Sequence, residues 1–325
     1  MLYNAEFLIR DKLKASPVER ARMELRHLRY FIAVAEHQSV RLASEQLHIT
    51  QPAVSRQIQD LEQELGLLLF ERSSRGLKLT AAGDSYLRDA RQAMAALDAA
   101  AHGARRVAAG LLGRLRLGCV ENAGWDGLVP KAFSHFQAEA PEVQIELDVR
   151  NTPEQLRAIA DGALDGGFIY QYEPLPEALT GLPLLEHDVV LALPRCWDGD
   201  YDETRSIALR GLAERPFVML PRAAYPGYYD RLSSACRQLG VHLKVAQEAS
   251  TETAILSLVC AGIGAAIVNS ANLGRPPAQA RLLRLQDLTL TMPLTFVWRQ
   301  DAANPALARF LALLRHEASQ EKRKS

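Results

Sequence analysis

Residues 51–56 carry polar side chains at a spacing suited to hydrogen bonding with nucleic acid. Gln51, Pro52, Ser55 and Arg56 fall on the side of a predicted helix that is opposite its apolar residues. None of them is an acid, and Gln, Ser and Arg side chains donate hydrogen bonds that base edges accept in the major groove. The segment therefore predicts a DNA-reading surface, and the alternative is a helix face that is merely solvated.

Two apolar stripes with helical spacing would hold these residues in place. His48 and Ile49 lie between the stripes and leave room only for a tight turn. Thr50 is a candidate N-cap, and Pro52 falls in the first helical turn, where no hydrogen bond is lost. Residues 39–65 therefore predict a helix-turn-helix. The stripes consist of Val40, Ala43 and Leu47 in the first helix, and of Val54, Ile58, Leu61 and Leu65 in the second.

The residues after the second helix predict a two-stranded hairpin. A short apolar strand is expected at 67–70, a turn at 71–76 and a returning strand at 77–79. Arg72 and Arg75 then lie near the tip, where basic side chains reach phosphates or the minor groove. A solvated hairpin turn is the alternative.

A long helix is predicted next, because residues 81–109 are rich in alanine and contain no proline, and Thr80 is placed to cap them. A helix of this length with a narrow apolar stripe is not stable alone. A second copy of the same helix is the simplest partner, so the segment predicts a dimer. The stripe consists of Leu87, Ala90, Met94, Leu97 and Ala101.

From residue 114 onward, strands alternate with helices, which predicts parallel sheets covered on both faces. Two such units indicate two α/β lobes, joined by crossings near 186–189 and 269–271. The predicted strands are 115–120, 143–149, 166–170, 189–194, 216–221, 241–249, 264–269 and 292–299. The predicted helices are 128–140, 153–161, 229–239, 251–261 and 305–316.

The cleft between the lobes is the expected ligand site, because ligands bind beyond the carboxyl ends of strands in α/β sheets. Helix N-termini and Arg222 there favour a ligand with a carboxylate and an apolar or aromatic body. Glu121 would repel such a ligand unless Arg222 or another base neutralises it. The candidate ligand-binding residues, each close to a strand end, are Asn122, Ala123, Thr152, Tyr170, Arg222 and Asn269.

Thr152 has an alternative role, because the sequence Thr-Pro-Glu-Gln at 152–155 matches a capping box. In that role the hydroxyl only caps the following helix.

The composition limits the protein classes that fit the chain. The 38 Lys and Arg residues balance the 38 Asp and Glu residues, so any positive surface must be local. The four cysteines form no CxxC pair, which argues against a zinc site and fits a reducing cytosol. No apolar run approaches the length of a membrane span and no secretory signal is visible. We therefore expect a cytoplasmic protein without metal, cofactor or membrane partner.

Residues 24–90 closely resemble the N-terminal winged helix of the LysR-type transcriptional regulators, through the TQPAVSRQI core and the hairpin from LFER to LT. The two-lobed pattern resembles the periplasmic-binding-protein-like effector domain of the same family. The resemblance implies a winged helix-turn-helix DNA-binding domain at 23–80, a linker and dimerisation helix at 81–110 and an effector-binding domain at 111–325. The first lobe is expected at about 113–187 and 270–318, and the second at about 188–269. Residues 1–22 precede the resemblance and are assigned no function.

The resemblance also implies the partners of the chain. These are double-stranded promoter or operator DNA, a small-molecule effector and further copies of the chain in a dimer and then a tetramer, with RNA polymerase as a further candidate. In the family, the loop after the first strand and the Ser or Thr after the second commonly hold the effector.

Two other classes stay open at this stage. One is an α/β small-molecule-binding protein or enzyme whose helical N-terminus serves only assembly. The polar face at Gln51 and Arg56 argues against it, and no nucleophile–base pair or metal cluster is found, so no catalytic residue is assigned. The other is a thiol redox sensor, which the wide spacing of Cys196, Cys236 and Cys260 disfavours.

Overall fold

The computed structural model describes residues 23–73, 76–123, 127–197 and 205–321. Residues 1–22 and Arg75, which the sequence analysis names, lie outside the described residues. The chain divides into two compact units, with the boundary between Ala104 and Arg105. In the first unit the elements are α1 (Leu25–His37), α2 (Val40–Gln46), α3 (Gln51–Leu65), β1 (Phe70–Ser73), β2 (Gly76–Leu79) and most of α4 (Ala81–Ala108).

The second unit alternates strands and helices. Its elements are β3 (Leu112–Cys119), α5 (Leu128–Glu139), β4 (Glu142–Val149), α6 (Thr152–Ala160), β5 (Gly166–Tyr170), β6 (Leu179–Pro194), β7 (Pro216–Met219), α7 (Pro226–Gln238), β8 (Lys244–Glu248), α8 (Glu252–Cys260), β9 (Ala266–Asn269), β10 (Ala280–Arg284), β11 (Thr291–Arg299) and α9 (Pro305–Glu321).

The core of the first unit forms from the predicted stripes. Val54 and Leu61 of α3 are fully buried, and Ile58 nearly so. The turn from α2 to α3 passes through His48, which has a left-handed φ of 54°. Phe31 of α1 is fully buried, and its ring contacts Phe70 of β1 and Tyr86 of α4 at centroid distances of 5.3 and 5.1 Å. The predicted helix-turn-helix is therefore confirmed, and one aromatic ring joins it to the hairpin and the long helix.

The hairpin begins later than predicted. β1 and β2 pair antiparallel with Phe70 opposite Leu79, whereas the strand was expected to start at residue 67. Gly66 ends α3 with a φ of 70°, and a carboxylate oxygen of Glu62 accepts the N–H groups of Leu69 and Phe70 at 2.7 and 3.0 Å. These bonds attach the chain to α3 before the strand can start.

The apolar stripe of α4 becomes more exposed along the helix. Thr80 caps it as predicted, because its hydroxyl accepts the N–H of Gly83 at 2.9 Å. Ala90 is buried and Met94 is half-buried, but Leu97 is 43% exposed. The later part of the stripe is therefore uncovered in the single chain.

The main sheet has the order β10-β6-β11-β5-β3-β4, and β9 also pairs with β6. β3 runs parallel to β4 and β5, as the predicted βαβαβ pattern requires, and β11 runs antiparallel to β5. Phe168, Phe296 and Phe310 are fully buried beneath this sheet and pack edge to face. The two-lobed α/β architecture is thus confirmed.

The long strand β6 passes from one lobe to the other. Its first part, as far as Asp188, pairs with β11, and from Val189 onward it pairs with β9 and β10. Only the buried part of this strand, at 189–194, is predicted from the sequence, because the earlier residues alternate in burial and include Pro183. β10 pairs with the same end of β6 as β9, so it lies with the second lobe, whereas residues 270–318 were expected in the first.

None of the helices that the structure describes is both long and apolar enough to cross a lipid bilayer.

Candidate nucleic-acid interface and ligand site

The N-terminal half of α3 presents the predicted polar face. Gln51, Pro52 and Arg56 are exposed and Ser55 is half-buried. Thr50 occupies the N-cap position in an extended conformation, although its side chain makes no capping hydrogen bond. Among the residues that the structure describes, no carboxylate forms an ion pair with Arg56, so its guanidinium is available to a partner outside the chain.

The hairpin adds a second basic position. Arg72 is exposed and lies in β1 opposite Leu77. Glu62, which the sequence analysis did not single out, fixes where this hairpin starts relative to α3 through its bonds to Leu69 and Phe70. A glutamate among other acids near a helix end gives no sequence signal for this positioning role.

A cavity of about 300 Å³ lies between the two lobes of the second unit. Thr152, Tyr170 and Tyr172 line it from the first lobe, and Tyr225 and Tyr228 from the second. Its apolar wall includes Pro153, Leu156, Ile169, Leu175, Leu220 and Met292. The cavity is therefore large enough for a small organic molecule and combines an apolar surface with tyrosine hydroxyls.

The buried carboxylate of Glu252 also lines this cavity. Its oxygens accept hydrogen bonds from the N–H of Asn269 at 2.9 Å, from Nδ2 of Asn272 at 2.9 Å and from Nδ2 of Asn122. Burial raises the pKa of Glu252 to about 7, the bonds from Asn272 and Asn269 oppose that rise, and the charge of Glu121 adds to it. A carboxylate that changes charge near neutral pH thus faces the cavity.

Glu121 joins the first lobe to the N-terminus of α8. Its carboxylate accepts the N–H of Glu252 at 2.6 Å, the N–H of Thr253 at 3.2 Å and the hydroxyl of Thr253. The charge of Glu121 is thus stabilised by the free N–H groups and dipole of a helix, and not by Arg222 or another base, which was the condition for an anionic ligand.

Arg222 does not reach the cavity. Its guanidinium makes a two-pronged ion pair with Asp230 at 2.7 and 2.8 Å, on an exposed surface. The expected opposition of Arg222 to the first lobe is therefore wrong, because an acid eight residues along the chain takes the guanidinium instead. Ala123 is likewise absent from the lining, since its side chain is buried in the hydrophobic core.

Asn151, not Thr152, caps α6. The side chain of Asn151 accepts the N–H of Glu154 at 2.9 Å, and the Glu154 side chain accepts the N–H of Asn151 in return. The capping box predicted at Thr152 is thus displaced by one residue. The Thr152 hydroxyl, in the first turn at the cavity wall, lies 3.5 Å from the backbone oxygen of Tyr170.

The fully buried Gln155 positions α6 against the sheet. Its amide donates to the backbone oxygens of Arg150 and Phe168 at 2.8 and 3.1 Å. A Cβ atom at Gly118 or Gly167 would lie 2.5 or 2.3 Å from the Gln155 amide oxygen, so a larger residue at either position would require Gln155 to move. The packing of Gln155 against Gly118 and Gly167 thus holds the start of α6, where Thr152 lines the cavity.

Asn122 and Asn269 lie behind the lining. Both are buried, and the amide of Asn269 donates to the hydroxyl of Tyr170 at 2.5 Å. The same hydroxyl lies 3.2 Å from Nδ1 of His187. Of the six predicted ligand-binding residues, Thr152 and Tyr170 thus line the cavity, and Asn122 and Asn269 support its polar groups.

Four lining residues are not predicted from the sequence: Tyr172, Tyr225, Tyr228 and Glu252. The run Tyr-Pro-Gly-Tyr-Tyr-Asp at 225–230 was a usable signal, because aromatic residues at a helix start after a strand point towards the cleft. The sequence gives no such signal for Glu252, because an acid in the first turn of a helix usually only complements the helix dipole.

Comparison with known proteins covers both units. The family model "Bacterial regulatory helix-turn-helix protein, lysR family" matches residues 25–84, and "LysR substrate binding domain" matches residues 108–319. The HTH-type transcriptional regulator IlvR of Caulobacter vibrioides is 33% identical over 299 residues, which cover 91% of this chain and 99% of that protein. YnfL of Escherichia coli, an HTH-type transcriptional regulator, is 35% identical over 246 residues, or 76% of this chain and 82% of that protein.

Among solved structures, full-length CbnR in complex with its target DNA is similar with a TM-score of 0.78 and 28% identity. The match covers 91% of this chain and all of that chain. These relatives are transcriptional regulators and not enzymes. The chain therefore belongs to the LysR family: it is a DNA-binding transcriptional regulator with a helix-turn-helix domain and an effector-binding domain.

Proposed function

We propose that this regulator reads promoter DNA through Gln51, Pro52, Ser55 and Arg56, and that a small molecule in the interlobe cavity changes that binding. The observation that carries the proposal is the exposed, acid-free N-terminal half of α3, on which Arg56 has no described carboxylate partner. The DNA-bound state of the similar CbnR supports a groove-binding role.

The hairpin supplies flanking contacts in this proposal. Arg72 is exposed in β1, and Arg75 follows it three positions later in the sequence. Basic side chains at this position contact the sugar–phosphate backbone or the minor groove, and such contacts add affinity that depends little on sequence.

The active form is a dimer that pairs through α4, and two dimers make a tetramer. Support comes from Leu97, which belongs to the apolar stripe of α4 and is 43% exposed in the single chain. Two copies present two recognition helices to two half-sites, which one copy cannot do. The regulator works in the cytoplasm, where promoter DNA is found, with RNA polymerase as its further partner.

The effector acts by changing how the two lobes are joined. Thr152 and Tyr170 line the cavity from the first lobe, whereas Glu252 lines it from the second and accepts a hydrogen bond from Asn122 of the first. Asn269 links Tyr170 to the second lobe. A ligand that contacts both sides of the cavity favours one arrangement of the lobes over others and so shifts the population of DNA-binding states.

The DNA-binding part of the proposal is tested with DNA that the wild-type protein selects from a randomised duplex library. Arg56→Ala and, separately, Ser55→Ala are expected to weaken binding to the selected sequence by about 1–3 kcal/mol if each reads a base. Gln63→Ala is the matched control, because Gln63 is exposed near the other end of α3. Gel shifts on selected and scrambled DNA are the measurement. Unchanged binding by both Arg56→Ala and Ser55→Ala would contradict the assignment of the groove-binding face.

A further inference from the structure

The charged side chains that line the cavity are all acidic. Glu121, Glu173 and Glu252 are among its lining residues, and the described lining contains no lysine, arginine or histidine. The two internal segments outside the described residues in this unit, 124–126 and 198–204, contain no basic residue in their sequence either. An anionic ligand would therefore meet three carboxylates in the lining, and Arg231, whose guanidinium lies 5.3 Å from the ring centroid of Tyr172, is outside that lining.

Three of the described helices begin at the cavity; the N-terminus of α7, with Tyr225 at its N-cap, has no side-chain cap, and the other two are already occupied. In α8, Glu121 takes the N–H groups of Glu252 and Thr253, and the Thr251 hydroxyl takes that of Ala254. In α6, Pro153 has no N–H, and Asn151 takes that of Glu154. A ligand carboxylate would have to displace the protein's own acceptors at these positions.

The carboxylates of Glu252 and Glu121 can each accept one more hydrogen bond. Glu252 accepts three hydrogen bonds, from Asn122, Asn269 and Asn272, and Glu121 accepts three from the start of α8. An ionised carboxylate has about four acceptor positions. An ammonium group, which only donates, matches this remaining capacity.

Aromatic rings supply a second attraction for positive charge. Tyr170, Tyr172, Tyr225 and Tyr228 all line the cavity. The ring of Tyr172 already has one cation partner, because the Arg231 guanidinium lies 5.3 Å from its centroid, outside the cavity lining. The Tyr172 hydroxyl is buried and has no hydrogen-bond partner within the described part of the chain.

We propose that the cavity binds an organic cation, in which an ammonium group lies against Glu252 and Glu121 and an apolar or aromatic body lies against the tyrosines and the aliphatic wall. This inference rests on the proposed role of the cavity as the effector site, and it replaces the carboxylate-bearing ligand that the sequence predicts. The volume of about 300 Å³ suits a body the size of one substituted ring.

The test uses three probes with the same phenyl body and different head groups: phenethylammonium, 2-phenylethanol and 3-phenylpropionate. Each is titrated into the full-length protein without DNA, by calorimetry and thermal unfolding at slightly alkaline pH. Phenethylammonium is expected to bind about tenfold more tightly than the alcohol, which corresponds to about 1.4 kcal/mol. 3-Phenylpropionate is expected to bind more weakly than both. The proposal is overturned if the propionate binds most tightly, or if no probe binds at millimolar concentration.

Two variants test which side chains bind the ammonium group. Glu252→Gln is expected to weaken phenethylammonium binding about tenfold and to leave phenylethanol binding unchanged. Glu177→Gln is the matched control, because Glu177 is exposed and outside the cavity lining. Tyr172→Leu gives a second test if Glu252→Gln unfolds, and it should weaken the ammonium more than the alcohol. Equal binding of phenethylammonium by a folded Glu252→Gln or Tyr172→Leu variant overturns the proposal.

Because these titrations contain no DNA, their failure leaves the DNA-binding face standing. The Arg56 and Ser55 gel shifts test that face independently, so the two proposals fail by different measurements.

Discussion

The polar face of α3 and the interlobe cavity are built in opposite ways. The face uses residues within six positions of one another on a single exposed helix. The cavity uses residues from Val120 to Met292, held in place by buried hydrogen bonds between strands and helices of two lobes. Local sequence therefore defines the DNA contact, whereas the topology of the whole domain defines the ligand contact.

The electrostatics of the two regions differ as well. The α3 face is solvated, so its contacts with DNA should weaken steeply with salt. In the cavity, burial raises the pKa of Tyr225 to about 12 and that of Glu252 to about 7, and raises those of Tyr170 and Tyr228 well above their usual value. Salt concentration should therefore change the DNA affinity of the α3 face, whereas pH should change the charge of the cavity.

The largest expected effect concerns α4, the helix that lies between the two regions in the sequence. Leu97→Glu should convert dimers to monomers or insoluble protein, because a carboxylate at a helix–helix contact would be buried without a partner. Ala99→Glu introduces the same charge on the opposite side of α4, where Ala99 is exposed, and should leave the mass unchanged. Light scattering measures both. A soluble Leu97→Glu protein with the wild-type mass would refute pairing through this stripe.

The second effect comes from Glu252. Its pKa of about 7 exceeds the usual 4.5, so the folded state keeps a proton that the unfolded chain releases. Stability should therefore fall as pH rises between about 4.5 and 7, by roughly 3 kcal/mol at most, and then level off. The groups that face Glu252 are Glu121, Asn122, Tyr170, Tyr172, Tyr225, Tyr228, Asn269 and Asn272.

Glu252→Gln removes this titration and should flatten the pH dependence of unfolding. The substitution can be accommodated, because the amide oxygens of Asn122 and Asn272 have no described partner and either amide can rotate to accept a hydrogen bond. Glu177→Gln, at an exposed site, should leave the wild-type profile unchanged. Denaturant unfolding across this pH range is the measurement, and parallel profiles for wild type and Glu252→Gln would show that Glu252 does not titrate there.

The smallest effect is expected at the hairpin. Arg72→Ala should weaken binding to selected and scrambled DNA alike and reduce the slope of log affinity against log salt by about one. Arg56→Ala should instead lose preference for the selected sequence. Gel shifts at several salt concentrations separate the two outcomes, and a loss confined to the selected sequence for Arg72→Ala would make it a base-reading residue.

The same contrast explains what the sequence could and could not predict. The stripe through Val54, Ile58 and Leu61 has helical period, so its burial and the opposite polar face follow from spacing alone. Thr152 and Tyr170 could be placed at the cleft because each follows a predicted strand end. These predictions need only local pattern and the rule for strand ends in α/β sheets.

The other features of the cavity depend on which partner each polar side chain contacts in the folded chain. Arg222 pairs with Asp230 instead of facing the cleft, and Glu121 finds the N-terminus of α8, which lies 131 positions away in the chain. No periodic pattern in the sequence predicts which acidic side chain will pair with a given base. Nor does it predict that Asn151, and not Thr152, caps α6. The sign of charge in the cavity therefore emerges only when the two lobes are assembled.

The central claim is that the α3 face binds DNA and that a ligand in the separate interlobe cavity changes this binding, and Thr152→Val tests it most directly. Asn151 caps α6, so valine should remove the hydroxyl from the cavity without unfolding the helix. Gel shifts compare wild type and Thr152→Val on the selected DNA, with and without whichever phenyl probe binds the wild-type protein. We expect equal binding without the probe, and a change on adding it for wild type alone. A Thr152→Val variant that still responds as wild type does, or that loses DNA binding without the probe, would contradict the account.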